Sequence, residues 1–327
     1  MIVVADEPPP PFAWLVLACS VLAVSSAGAV FQLIDEVPPI LRASWRLQAT
    51  ALLLLPPFII QLLNLKKSSP DTFSKLGEKQ VVAAIVGSGV CLWIHFGSWV
   101  WSLDHTSLTH SLLFVTAHPL VIVAGLYLLG KGITKKQASG ALVGFIGAGI
   151  TLLGVTNEGD VTLIGDLAAF VGAVAIVGYL SAGRVLRGWM PLFIYAFPVT
   201  LIASILLSLS SVVIEDGSFG LLPSETSVFG WSDLLWLPAI AYLAFVPGII
   251  GHTGINGVLR WFPPIFISVA VLFEPILGSV IGWLLDTTGI PGVYTWIGGA
   301  FLIAGIILVT LGQAEGGDNV TDSEAEE

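Results

Sequence analysis

Ten long apolar runs, separated by short polar connections, fill most of the chain. They span approximately residues 12–34, 38–63, 80–103, 107–129, 135–155, 163–184, 191–213, 234–259, 264–285 and 294–312. Each is near the ~20 apolar residues that a helix needs to cross about 30 Å of hydrocarbon. Backbone groups in lipid must be satisfied within a helix or a closed barrel. The runs far exceed the ~10-residue alternating strands of a barrel, so the pattern predicts helices. The first run follows Asp6, Glu7 and a proline stretch rather than a basic segment. It also outlasts the h-region of a signal peptide, so it reads as the first spanning helix.

Composition agrees with this reading. Charged residues make up 10% of the 327 and mean hydropathy is +0.93, against about 25% charged residues in soluble domains. The solvent for most of the surface is therefore lipid. Ten of the twelve basic residues fall in alternate connections: Lys66, Lys67, Lys75 and Lys79; Lys131, Lys135 and Lys136; Arg184 and Arg187; and Arg260. The positive-inside rule makes that face cytoplasmic and places both termini there. Residues 1–11 then form a cytoplasmic N-terminal segment. Residues 313–327, rich in acids and lacking aromatics, read as a disordered cytoplasmic tail. Asn319 begins a glycosylation sequon, which this topology keeps unmodified. No basic patch suggests a nucleic-acid partner. Cys19 and Cys91 lie within apolar runs and read as packing residues.

Runs 4–5 and 9–10 resemble each other. Aligning His118-Pro119 with Glu274-Pro275 places Tyr127 on Trp283 and Leu128-Leu129 on Leu284-Leu285, and a glycine-rich run follows each. The chain thus divides into five-helix repeats over 12–155 and 163–312. Five is odd, so the second copy inserts upside down. The expected fold is an all-α membrane protein of ten transmembrane helices in two inverted repeats. Inverted repeats are common in secondary transporters, with the solute held near the midplane between the halves.

Ionisable groups at membrane depth are costly and face a cavity or a partner. Glu274 lies ten residues into its run, about 15 Å deep at ~1.5 Å per residue. Either it binds a solute ammonium or carries a proton, or it locks the repeat interface. His118 has the equivalent place in the first repeat. Arg42 and Arg46 share a helix face one turn apart. Arg42, nearer the membrane edge, can snorkel to water. Arg46 is the better ligand for a carboxylate or phosphate, unless it pairs with Glu274. His95 and Trp99 share a face of run 3, and His252, Asn256 and Arg260 form a stripe on run 8. Each histidine alone is more often a hydrogen-bonded packing residue than a ligand. Tyr179 and Trp283 are candidates to line the same cavity. Gly140 and Gly144 have the spacing of close helix packing.

Four blocks, "ILRASWRLQATALLLLP", "SLDHTSLTHSLLFVTAHPL", "AGRVLR" and "GHTGINGVLRWFPPIFISVAVLFEPILGSVIGWLL", occur in this order. In order and spacing they resemble the EamA-type group of the drug/metabolite transporter superfamily, over about residues 12–312. Arg46 matches that group's helix-2 arginine. The turns Gly130-Lys131-Gly132 and Asp286-Thr287-Thr288 depart from the Gly-Glu often found there. The resemblance implies export of amino acids or related metabolites.

The expectation is therefore a secondary transporter, not an enzyme, that moves small organic solutes out through the plasma membrane by alternating access. The substrate-binding set is Arg46, His95, Trp99, His118, Tyr179, His252, Asn256, Glu274 and Trp283. No nucleotide motif, cofactor or metal site is expected. Proton coupling through Glu274 and His118 is a further expectation, and a homodimer is compatible with the sequence. Sugar-phosphate or nucleotide-sugar exchange would need more lysine and arginine in the helices. A membrane receptor without flux is the alternative from another class.

Overall fold

The computed structural model describes residues 9–128, 130, 132–153, 160–220, 224–262 and 264–324. Residues 1–8 of the expected N-terminal segment, Lys131, and residues 325–327 of the tail lie outside these. The helices are α1 (Pro11–Ser25), α2 (Ala27–Gln32), α3 (Pro39–Ser68), α4 (Pro70–Lys75), α5 (Lys79–Leu103), α6 (Leu108–Val115), α7 (His118–Leu128) and α8 (Lys135–Thr151). The second half holds α9 (Leu163–Arg187), α10 (Leu192–Ile214), α11 (Leu237–Leu243), a π-helical stretch (Ala244–Thr253), α12 (Gly254–Val258), α13 (Pro264–Val271), α14 (Glu274–Leu284) and α15 (Val293–Glu324). Among the described residues the sole β feature is an isolated bridge between Ser218 and Ser227.

Local chemistry places the ends. Pro11 and Pro39 occupy first helical positions, where a missing N–H costs nothing. The hydroxyls of Ser107, Thr134 and Thr162 accept from backbone N–H groups in the first turns of α6, α8 and α9. Proline also breaks two runs that hydropathy alone makes continuous. The fourth run bends at Thr116-Ala117 before His118-Pro119, and the ninth at Leu272-Phe273 before Glu274-Pro275. A proline lacks the N–H for the preceding turn and crowds its carbonyl. His118 and Glu274 therefore each begin a short helix.

Among the described residues, seven helices are long and apolar enough to cross a membrane: Pro11–Gln32, Pro39–Ser68, Lys79–Leu103, Leu108–Gly125, Leu163–Arg187, Leu192–Ile214 and Leu237–Val258. The other three expected segments are also helical but shorter. α8 has 17 residues, the ninth run is split into α13 and α14, and the apolar part of α15 ends at Val309. The α15 backbone stays helical to Glu324, through most of the stretch expected to be disordered, with no proline to stop it. Large apolar side chains such as Leu15, Ile60, Leu142 and Val213 point away from the bundle. Their exposure suits lipid, and the chain is an integral multi-pass membrane protein.

The bundle is defined by a few pairings. α3 packs on α10, α6 on α14, and α8 on α15. α5 packs on α9, as α1 does on the π-helical stretch. α10 packs on α5 as α3 does on that stretch, and α7 on α9 as α14 does on α1. α8 and α15 touch backbone to backbone. A Cβ on Gly147 would overlap the Leu302 amide, and one on Gly305 the Gly144 backbone. Small residues permit this approach.

Candidate functional site

α1, α5, α6, α7, α9, α13 and α14 meet with the π-helical stretch and α12 around a central cavity of about 50 Å³. His95, Trp99, His118, Tyr179, His252 and Glu274 line it with aliphatic side chains including Val24, Ile176, Leu180, Ile255 and Ile267. A smaller void adjoins it at Tyr179 and His252, which line both, and adds Arg46, Phe96 and Asn256. Eight of the nine residues expected at the site thus lie around one region. The volume admits a few waters, well below the ~300–1,000 Å³ of solute pockets.

Trp283 is the exception and a correction. Its side chain is 57% exposed and lines a separate apolar groove with Trp296 and Ile290. Nine residues separate it from Glu274, about two and a half turns, so the two point to opposite sides of α14. Tyr127, its partner in the repeat alignment, is likewise exposed.

The residues of the site differ in how fully they are satisfied. His95 donates from Nδ1 to the Gly172 carbonyl at 3.0 Å and stacks on Trp99. Its ring centroid is 6.2 Å from that of His252. Asn256 donates from Nδ2 to the Tyr179 hydroxyl and to the His252 carbonyl. Its Oδ1 has no partner among the described residues, nor do Trp99 Nε1 and His118 Nδ1. Arg46 is the extreme case. It is 0% exposed, and Nε, Nη1 and Nη2 all lack an acceptor among the described residues. Its Cζ sits over the faces of Phe96 and Phe31, at 4.6 and 5.7 Å from the ring centroids. The alternative of a direct Arg46–Glu274 ion pair is not what the structure has. Among the described residues the ion pair is Arg42–Asp104, and His110 is hydrogen-bonded to Asp166.

Arg42 corrects a second expectation. It does not snorkel but is fully buried, donating to the Asp104 carboxylate and, at 2.8 Å, to the Phe31 carbonyl. Asp104 supplies a nearer counter-charge than water does. Sequence reasoning also passed over the pair that His110 forms through Nδ1 with Asp166 at 3.0 Å. Asp166 accepts from Thr106 as well, and His110 Nε2 lies 2.9 Å from Thr295 Oγ1. Both ionisable groups sit in apolar runs, so the rule that singled out Glu274 applies to them equally. These two pairs tie helices together at one end of the bundle. At the other end, Arg187 donates to the Asn256 and Met190 carbonyls, and Ser88 and Tyr195 share a hydrogen bond of 2.6 Å.

A solved crystal structure is similar in fold, with a TM-score of 0.60 and 21% identity over 93% of this chain and 98% of that one. No curated protein matches the chain. Residues 11–153 match the EamA-like transporter family. Those residues carry α1 to α8 and, within them, Arg46, His95, Trp99 and His118. Through them the first half of the chain is similar to the EamA-like transporter family, a group of membrane transporters in the drug/metabolite transporter superfamily.

Proposed function

We propose that this chain is a secondary transporter that exports small organic solutes, amino acids or related amphiphilic metabolites, by alternating access. The observation that carries the reading is a central cavity walled by both halves of the chain, with His118 and Glu274 at corresponding helix starts. The helix pairings support ten spanning segments in two inverted repeats, 12–155 and 163–312. Exchanging each helix for its counterpart turns the α5–α9 contact into the one between the π-helical stretch and α1. It turns α7–α9 into α14–α1 and α6–α14 into α13–α7, and leaves α3–α10 and α8–α15 paired as they were. A pseudo-two-fold of this kind offers two equivalent gates.

Bonded groups lie toward both ends of the bundle, and the cavity is too small for a solute unless helices separate. Opening at the Arg42–Asp104 and His110–Asp166 end, or at the Arg187–Asn256 end, exposes the same residues to opposite sides. The basic connections favour cytoplasmic termini, with the plasma membrane as the expected location. Glu274, at the start of α14 where the helix dipole favours an anion, and His118 are the proposed proton carriers. Solute counterflow in proteoliposomes tests the reading. Glu274→Gln and His118→Ala each abolish the pH dependence of flux. Wild-type flux without counterflow rejects the transporter, and unaltered pH dependence in both variants rejects the proton roles.

A further inference from the structure

We infer that the site recognises its solute by a carboxylate held on Arg46, so that the solute class is small apolar monocarboxylates, amino acids among them, rather than amines or phosphates. This rests on reading the cavity as the solute site. It goes further in naming which end of the solute is indispensable.

Arg46 is the eighth residue of α3 and fully buried, with three nitrogens that meet no acceptor among the described residues. Arginine does not escape such a position by losing a proton. Taking an ion from water costs several kcal/mol even after relaxation. The two phenyl rings return about 2 kcal/mol as cation–π contacts, so they cover the cation without balancing it. They also present no lone pair. What completes the site is a planar anion with two acceptor oxygens, which the guanidinium fork matches in two parallel bonds.

The neighbouring groups point the same way. Trp99 packs edge-on against Phe31 and lies beside Phe96, so it borders both rings that flank Arg46. Its unpartnered Nε1 is a donor only. Glu274 differs from Arg46 in that a carboxyl group can take a proton and become neutral, whereas the guanidinium stays charged. The ammonium of an amino acid is therefore an addition to this site, and the carboxylate is its requirement. Among the described residues no lysine and no second arginine line either cavity, which leaves a phosphate dianion half compensated. The remaining walls, Val24, Ile176, Leu180, Ile255 and Ile267, suit a short aliphatic tail.

The test uses the full chain in detergent and in proteoliposomes with four probes: leucine, isovalerate, isoamylamine and inorganic phosphate. Ligands that bind the folded state raise its melting temperature. Leucine and isovalerate are expected to raise that of the wild type, and isoamylamine and phosphate to leave it unchanged. Arg46→Gln is expected to lose the response to both carboxylates. Should that variant fail to fold, Arg46→Lys keeps the charge without the fork and is expected to bind isovalerate at least about tenfold more weakly. The inference is overturned if isoamylamine stabilises as well as isovalerate, if neither carboxylate stabilises the wild type, or if the Arg46 variants respond like the wild type. Carboxylate binding without counterflow overturns the transport reading alone. Leucine flux insensitive to isovalerate overturns the carboxylate assignment alone.

Discussion

Arg42 and Arg46 stand one turn apart on α3, and both are 0% exposed, yet they occupy opposite kinds of site. Arg42 meets a carboxylate and a carbonyl and joins the ends of α2, α3 and α5. Arg46 meets two aromatic faces and, among the described residues, no acceptor. The same residue type, burial and helix thus serve structure in one place and leave a valence open in the other. Burial of a charge therefore does not identify a functional group; burial without a partner does, because folding alone gives no return for it.

Removing each arginine separates the two roles, and the largest effect is expected at the paired one. Arg42→Met leaves Asp104 without its counter-ion and is expected to cost about 3 kcal/mol, the lower end for breaking a buried pair. A lowered melting temperature in detergent would show it, and an unchanged one would make the Arg42 region as dispensable as the Arg46 region. Arg46→Met is expected to reverse the sign. Replacing an uncompensated cation with an apolar side chain raises stability by about 1 kcal/mol. It also lowers solute counterflow by about ten- to a hundredfold, the value of ~1.5–3 kcal/mol for hydrogen bonds to a charged group. A loss of stability equal to that of Arg42→Met would erase the distinction.

The smallest effect is expected at Glu215, which caps the end of α3 near Arg42. Its carboxylate accepts from the Ile40 and Leu41 N–H groups at 2.7 and 3.0 Å. Burial pushes the Glu215 carboxyl above its ordinary value of 4.5, while those N–H groups and Arg42 act in the opposite direction. A raised value in the folded state means that the fold holds the proton more tightly than the unfolded chain does. The stability this contributes is present below the ordinary value and is lost as pH rises through the folded one. Glu215→Gln is expected to remove that slope from the melting temperature. At neutral pH the change in stability is expected to stay within about 1 kcal/mol, since losing one acceptor oxygen is offset by no longer burying a charge. A slope that persists would place its origin elsewhere.

Much of the candidate site was legible because membrane depth penalises polar groups strongly enough to make them conspicuous. His95, His118, His252, Asn256 and Glu274 stood out on that ground and do lie around one region. Trp283 did not follow, since an aromatic is at ease facing lipid or cavity and its sequence carries no preference. Phe31 and Phe96, which decide the state of Arg46, were invisible for the same reason. The breaks before His118 and Glu274 were signalled by the prolines that follow them, but hydropathy averages over such breaks.

The sequence by itself determined that the chain is helical and lies in lipid, where most helices run, and which polar residues are too costly to face hydrocarbon. Hydropathy, proline and capping chemistry act within a few residues, so a linear reading captures them. The tertiary structure alone decided which of those polar residues have partners. Asp104 lies 62 residues from Arg42, Asp166 lies 56 from His110, and the rings around Arg46 come from two other helices. Pairing is a matter of distance in space, and that is what made one arginine structural and left its neighbour open.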